Sequence, residues 1–235
     1  MLGRSAAAMS VADGRVPIVG VPVGKPARAV RAARAGISRR LPHGDVVVRQ
    51  GDPTACLFLV TAGVVRLSSV TLTGREIVVG LLGPGDLFGE SALLGEPSPV
   101  EARAVGCAQV VTLPLAHVRH ILRHQPGVSE ELLRLVADRL HRTSRALEDS
   151  LSADLPTRIS RRLRELAEAH GVTAPDGVRL RVPLTQEELG RMVGASREAV
   201  NRTLGGLAAR GLVHAKGGEV LIPDPAALAC EPSAS

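Results

Sequence analysis

The side chains best spaced for chemistry lie between residues 184 and 204. Thr185 and Glu188 stand three apart, the interval at which a threonine hydroxyl caps a helix and a glutamate reaches back to the amide of the cap. Leu189, Met192 and Val193 then recur at helical spacing until Gly194 stops the first helix, and Ser196 suits the cap of a second. Val200, Leu204 and Leu207 form the buried stripe of that second helix, and Arg197, Glu198, Asn201 and Arg202 fall on the opposite face. Such a face matches the major groove of duplex DNA. Arginine bonds O6 and N7 of guanine in bidentate fashion, glutamate accepts from N4 of cytosine, and asparagine suits adenine or a phosphate oxygen. Thr185, Gln186, Ser196 and Lys216 complete the candidate DNA-binding set. A plain pair of packed helices with a solvated polar face is the competing reading. Against it stands a hairpin wing: Gly211 leads into apolar residues 212–215, a turn at Lys216, Gly217, Gly218 and Glu219, and a second apolar run at 220–222.

The rest of the chain must support and pair this device. Residues 41–115 read as short β segments around 46–48, 57–60, 64–67, 77–79 and 110–113, the pattern of a barrel or sandwich, with glycines where a jelly roll turns its corners. From Ser129 to about Leu151, apolar positions Leu133, Val136, Leu140, Thr143 and Leu147 alternate steps of three and four, the seam of a two-stranded coiled coil, and predict a homodimer. Two identical reading helices about a two-fold axis fit a pseudo-palindrome with half-sites one helical turn apart. Asp154, Leu155 and Pro156 break the seam before a further helix over 157–170. The fold class expected is therefore α+β.

Composition bounds the alternatives. The 235 residues are 45% hydrophobic, and the longest apolar runs are too short for a bilayer, so no membrane partner is expected. Phe58 and Phe88 are the whole aromatic complement, which excludes the stacking platforms of single-strand binders. Cys56, Cys107 and Cys230 are isolated and odd in number, no secretion pattern opens the chain, and a cytoplasmic location fits. The net charge of +6 is uneven: residues 1–40 carry eight Lys or Arg against Asp13 alone, and beyond them only 156–222 lean basic. The first 40 residues are expected to be a basic, largely disordered tail to about residue 27, with a short helix over 28–40. A solvated tail, or a true start at Met9, is favoured over a DNA-touching arm.

The run Gly-Ala-Ser-Arg-Glu-Ala-Val-Asn-Arg at 194–202 resembles the recognition segment of the CRP/FNR superfamily, to which the cyclic-AMP receptor proteins belong. The resemblance implies a β-roll effector domain (41–127), a dimerisation helix (128–153) and a winged helix-turn-helix domain (154–235) after the tail (1–40). It matches Arg197, Glu198 and Arg202 to the family's base-contacting positions, implies a TGTGA-like half-site, and makes Asp154 the hinge aspartate. The loop 170–178 lies where family activators touch RNA polymerase, which adds the polymerase as a candidate partner beside double-stranded DNA. Residues 83–90 resemble the entry to the family's phosphate-binding cassette, and Glu90 matches the glutamate that takes a ribose hydroxyl. The arginine that should follow to neutralise the phosphate is missing: Ser98 or Val100 stands there, and Glu101 adds a negative charge. Burying a phosphate without a cation costs several kcal/mol. Thr143 and Ser144 match positions that contact adenine. Gly89, Glu90, Ser91, Ser98, Arg103, Thr143 and Ser144 are the candidate effector pocket. A cyclic nucleotide is its candidate cofactor, disfavoured by the missing arginine. The alternative is a cyclic-nucleotide-responsive regulator that uses Arg103 for the phosphate.

Enzymatic readings have little to stand on. His117, His120 and His124 are spaced to share a helix face, but solvated histidines are favoured over a metal site, and no cysteine precedes Cys56 to build a cluster. No catalytic triad, carboxylate pair or phosphate-binding loop stands out. A cupin-like sensor or enzyme needs His and Glu ligands within the β segments, where His43 is the only histidine.

Overall fold

The computed structural model describes residues 36–180, 182, 184–216 and 219–230. Six antiparallel strands form the first sheet: β1 (Ile37–Leu41), β2 (Val46–Val48), β3 (Cys56–Val70), β4 (Glu76–Leu82), β5 (Leu87–Phe88) and β6 (Glu101–Pro114). The path runs β1-β6-β3-β4, with β2 on β6 and β5 on β3. The runs 57–60 and 64–67, expected as separate strands, are two halves of β3, whose register with β6 shifts on both sides of Ala62. Gly63 allows this bend: its φ is 71°, and a Cβ there would lie 2.1 Å from the Cys107 carbonyl oxygen. β1 also differs from expectation. Residues 37–40 do not form a helix, because Ile37 to Leu41 pair with Thr112 to Ala108 of β6, and that ladder outweighs local helix propensity. Residues 1–35, where the tail and the start of that helix were expected, lie outside the described residues.

One apolar cluster fills the roll with Leu41, Val60, Val65, Leu67, Ala104 and Val110. It includes both phenylalanines, stacked with ring centroids 4.9 Å apart. A second, with Leu57, Leu59 and Leu113, seats α1 (Leu115–His124) and the start of α2 (Pro126–Ser152) through Val118, Ile121 and Val128. Beyond Val128 no residue of α2 is buried, and Leu133, Leu140, Leu147 and Leu151 are exposed by 60% or more. Asp154 breaks the helix and caps α3 (Leu155–His170) by accepting from the Thr157 amide at 2.9 Å. An ion pair between Arg161 and Asp149 spans the break.

The C-terminal unit places α3, α4 (Gln186–Val193) and α5 (Arg197–Ala209) on a four-stranded antiparallel sheet of order β7-β8-β10-β9. The strands are β7 (Gly171–Ala174), β8 (Gly177–Leu180), β9 (His214–Lys216) and β10 (Glu219–Ile222). The wing expected at 212–222 is the β9–β10 pair. Its neighbour β7–β8 occupies the stretch expected to be a loop. That hairpin is held by pairing of β8 with β10, and Gly177 packs so close that a Cβ would lie 2.4 Å from the Ile222 carbonyl oxygen. Val64, Leu81 and Val105 of the roll join the C-terminal core, so the two units share apolar packing. No helix among the described residues is long and apolar enough to cross a membrane.

Because Gly63 is both left-handed and crowded, Gly63→Ala should destabilise the chain by about 2 to 5 kcal/mol, combining backbone strain with overpacking. Gly74, also left-handed with φ 77° but with nothing near a Cβ, should cost only about 1 to 2 kcal/mol on the same change. Urea unfolding midpoints of the two variants compare them, and equal losses would show that crowding at Gly63 is relieved.

Candidate nucleic-acid interface

The recognition device is built by caps and one close helix approach. Thr185 Oγ1 accepts from the Glu188 amide at 3.1 Å, and the Glu188 carboxylate accepts from the Thr185 amide at 2.9 Å, a complete capping box. Gly194 ends α4 with φ 70°, and the Ala195 amide bonds back to the Gly190 carbonyl at 2.9 Å. Ser196 Oγ then caps α5 by accepting from the Ala199 amide at 3.3 Å. Gly190 lets the two helices meet: a Cβ there would lie 2.7 Å from the Ala195 carbonyl oxygen. Leu189, Val193, Val200, Leu204 and Leu207 are buried on the inner side.

Arg197, Glu198, Asn201 and Arg202 are all exposed on the outer side. The structure thus brings these four onto one surface, with Thr185, Gln186 and Ser196 at the helix heads beside it. Gln186 Nε2 donates to Asn201 Oδ1 at 2.9 Å, a bond between the helices that sequence spacing does not reveal. The Glu198 pKa is lowered from the ordinary carboxylate value: its own backbone amide and the Ser196 hydroxyl donate to the carboxylate, and Arg197 stands beside it. Among the described residues Arg197 and Arg202 enter no salt bridge. Lys216 ends β9, and its side chain lies outside the described ones.

The candidate effector residues part into two groups. Gly89, with φ 85° and a Cβ position 2.9 Å from the Cys56 carbonyl oxygen, opens a 3-10 turn over Glu90–Leu94. Glu90 is held there by Arg139 of α2, whose Nη1 donates to Glu90 Oε1 and whose Nη2 donates to the Leu87 carbonyl, both at 2.6 Å. Sequence reasoning missed Arg139, although it stands four residues before Thr143, whose hydroxyl donates to the Arg139 carbonyl at 2.9 Å. Thr143 and Ser144 are exposed on α2, and the Ser91 hydroxyl is buried without a partner. Ser98 and Arg103 are engaged elsewhere. Ser98 is buried and donates to the Val100 carbonyl at 2.7 Å. Arg103 binds Glu101 at 2.6 Å and the Gly44 carbonyl at 2.8 Å. The Glu101 charge, expected to repel a phosphate, is thereby matched. The Ser91 hydroxyl is thus buried without a partner next to Glu90, while Arg139 and Arg103 are each held by a carboxylate and a carbonyl.

His43 accepts from the Gly106 amide at 3.0 Å and serves the roll rather than a ligand set. The rings of His120 and His124 meet at a tilt of 33° with centroids 4.3 Å apart. A further feature escaped the sequence: Glu76 of β4 bonds Arg66 of β3 at 2.8 Å and Arg191 of α4 at 2.9 Å, joining roll and reading unit. His170 meets the Leu81 carbonyl at 3.0 Å in the same interface. An open cleft of about 380 Å³ lies alongside, lined by Arg49, Gln50, Ser68, Val70, Glu76 and Glu101.

Two family models match the chain: a cyclic nucleotide-binding domain over residues 38–125 and a Crp-like helix-turn-helix domain over 157–231. A CRP-like cAMP-activated global transcriptional regulator of Mycobacterium tuberculosis is 36% identical over 190 residues, 80% of this chain and 84% of its own. The cAMP-activated regulator Vfr of Pseudomonas aeruginosa is 32% identical, over 78% of this chain and 88% of its own. Among solved structures, the c-di-GMP responsive global regulator CLP of Xanthomonas campestris superposes with a TM-score of 0.69 at 28% identity. It covers 84% of this chain and 99% of its own.

Glu76→Ala removes the partner of two arginines, one of them Arg66, whose Nε is already buried without a partner. It should lower stability by about 1.5 to 3 kcal/mol, the range for charged hydrogen bonds. Glu187→Ala, which removes only the exposed partner of Arg191, should cost under about 1 kcal/mol. Chemical denaturation of both variants measures the difference, and equal small effects would mean that Glu76 does not join the units.

Proposed function

This chain belongs to the CRP/FNR superfamily of DNA-binding transcription regulators, and we propose that it acts as a homodimer reading a palindromic site with TGTGA-like half-sites. The observation that carries this reading is the outer face of α5. Arg197 and Arg202 are exposed and enter no salt bridge among the described residues, Glu198 is an ionised acceptor between them, and the opposite side is fixed in the core. Unpaired guanidinium groups suit guanine O6 and N7, and Glu198 suits cytosine N4. The two copies would meet along α2, where Leu133, Val136, Leu140, Thr143 and Leu147 stay exposed at steps that alternate between three and four. The β7–β8 hairpin, in the position where family activators touch RNA polymerase, is the surface proposed for that contact. Duplex DNA is the partner and the cytoplasm the compartment of this reading.

The proposal extends to the effector: cyclic AMP binds weakly or not at all, and the protein engages DNA without a ligand or with a different one. The M. tuberculosis relative is named for activation by cAMP, whereas CLP of X. campestris is described as responsive to c-di-GMP, so relatives differ in the molecule they answer to. Here no Lys or Arg occurs at 91–102, and Arg103 and Arg139 are held by Glu101 and Glu90. A missing charge-assisted bond of about 1.5 to 3 kcal/mol weakens phosphate binding roughly ten- to hundredfold. The Asp154 cap and the Arg161 pair with Asp149 support a stiff junction between α2 and α3 in the unliganded state.

Arg197→Ala should cost roughly 1 to 3 kcal/mol of DNA affinity and relax discrimination at one guanine per half-site. Selection from a random duplex library checks this, and recovery of no two-fold symmetric motif by the unaltered protein would count against the reading. Leu140→Asp combined with Leu147→Asp should give monomers with little DNA affinity in light scattering and mobility shifts, since buried unpaired charges break the seam. Calorimetry with cyclic AMP should show no micromolar binding. Micromolar affinity lost on Arg103→Ala would instead assign the phosphate to Arg103.

A further inference from the structure

We propose that Asn201 reads a base as a hydrogen-bond donor, and that Gln186 sets this polarity. The inference rests on the reading of α5 as the element in the major groove. Asn201 stands on the exposed face of α5, one turn beyond Arg197 and next to Arg202. Its amide has one accepting end and one donating end. The accepting end is already engaged through one of its two lone pairs, because Oδ1 receives the Gln186 Nε2 donor at 2.9 Å. The Nδ2 group is left to project, and among the described residues no bond engages it.

The Gln186–Asn201 bond is not needed to hold the helices together. The Gly190 approach to the Ala195 carbonyl and the burial of Leu189 against Val200 already fix their spacing. Nor does Gln186 cap α4, because Thr185 and Glu188 satisfy the first turn between them. What the bond does is favour one orientation of the Asn201 amide for as long as Gln186 presents Nε2 to it. A free asparagine can present either end and so accepts either kind of base edge. A fixed donor seeks N7 of a purine, O6 of guanine or O4 of thymine, and it meets only another donor at cytosine N4. Gln186 is thus a positioning residue, and Asn201 the residue through which it sets specificity.

The test is binding-site selection from random duplexes by the full-length protein, run in parallel with Gln186→Glu, Gln186→Ala and Asn201→Asp variants and with melting curves for each. The unaltered protein should deplete cytosine about three- to tenfold at one position per half-site, the worth of a single hydrogen bond. Gln186→Glu turns the partner into an acceptor, so Asn201 must donate to it and show Oδ1 to the groove. Enrichment should shift to cytosine or to the adenine amino group at that same position, with the melting temperature unchanged. Asn201→Asp should shift it in the same direction and keeps the test decisive if the first variant folds poorly. Gln186→Ala should flatten the position. A Gln186→Glu profile identical to that of the unaltered protein, with or without a uniform fall in affinity, overturns the proposal and places the amide on a phosphate. If instead the unaltered protein selects no sequence, or Arg197→Ala leaves its profile intact, the reading of α5 fails and this inference falls with it.

Discussion

Everything outward-facing on the reading unit depends on how closely α4 approaches α5. At Gly190 the helices meet with no room for a side chain, 2.7 Å from a would-be Cβ to the Ala195 carbonyl oxygen, and Gly194 makes the turn between them in a left-handed conformation. Glycine at these two places lets backbone pack on backbone, and the apolar sides of both helices then drop into a core with Ile159 and Leu163 of α3. Burial of that side leaves one orientation for α5. Its polar face is presented because its apolar face has nowhere else to go.

A second theme is where the positive charge is spent. Around the roll, arginines are neutralised in place: Arg139 by Glu90, Arg103 by Glu101, Arg66 by Glu76. Each pair lies partly out of water, where an unmatched guanidinium is costly, so these side chains organise structure and are poor at capturing an anion. On α5, Arg197 and Arg202 are exposed and enter no salt bridge among the described residues, which is what the proposed reading of DNA requires of them. The same residue type thus does opposite work in the two units, and exposure and partner decide which.

The units are also coupled physically. Val64, Leu81 and Val105 of the roll sit in the core that holds α3, α4 and α5, and Glu76 reaches across to Arg191 at the end of α4. Arg139, which closes on Glu90, is the immediate neighbour of Leu140 on the apolar stripe of α2. The roll is therefore tied to α2 through Glu90 and Arg139, and to the C-terminal unit through Glu76 and Arg191.

Much of this was legible in the chain itself. The capping box at Thr185 and Glu188, the stop at Gly194, the cap at Ser196 and the stripe of Val200, Leu204 and Leu207 are local signals, written within one or two helical turns, and the structure bears them out. The apolar spacing along α2 is legible in the same way, and its residues are exposed in the structure; the seam they would form belongs to the proposed dimer. The sequence by itself determined the elements whose stabilising contacts are near in sequence. What it could not determine were the features closed over long separations: the strand at Ile37 paired to Thr112, the bend of β3 at Gly63, the short β7–β8 hairpin held by β10, and the pairs that join Arg139 to Glu90, Arg191 to Glu76 and Gln186 to Asn201. In each, a weak local preference is overruled by a partner 15 to 115 residues away, and only the tertiary structure decides which partner that is, because only there do backbone ladders and charges find their complements.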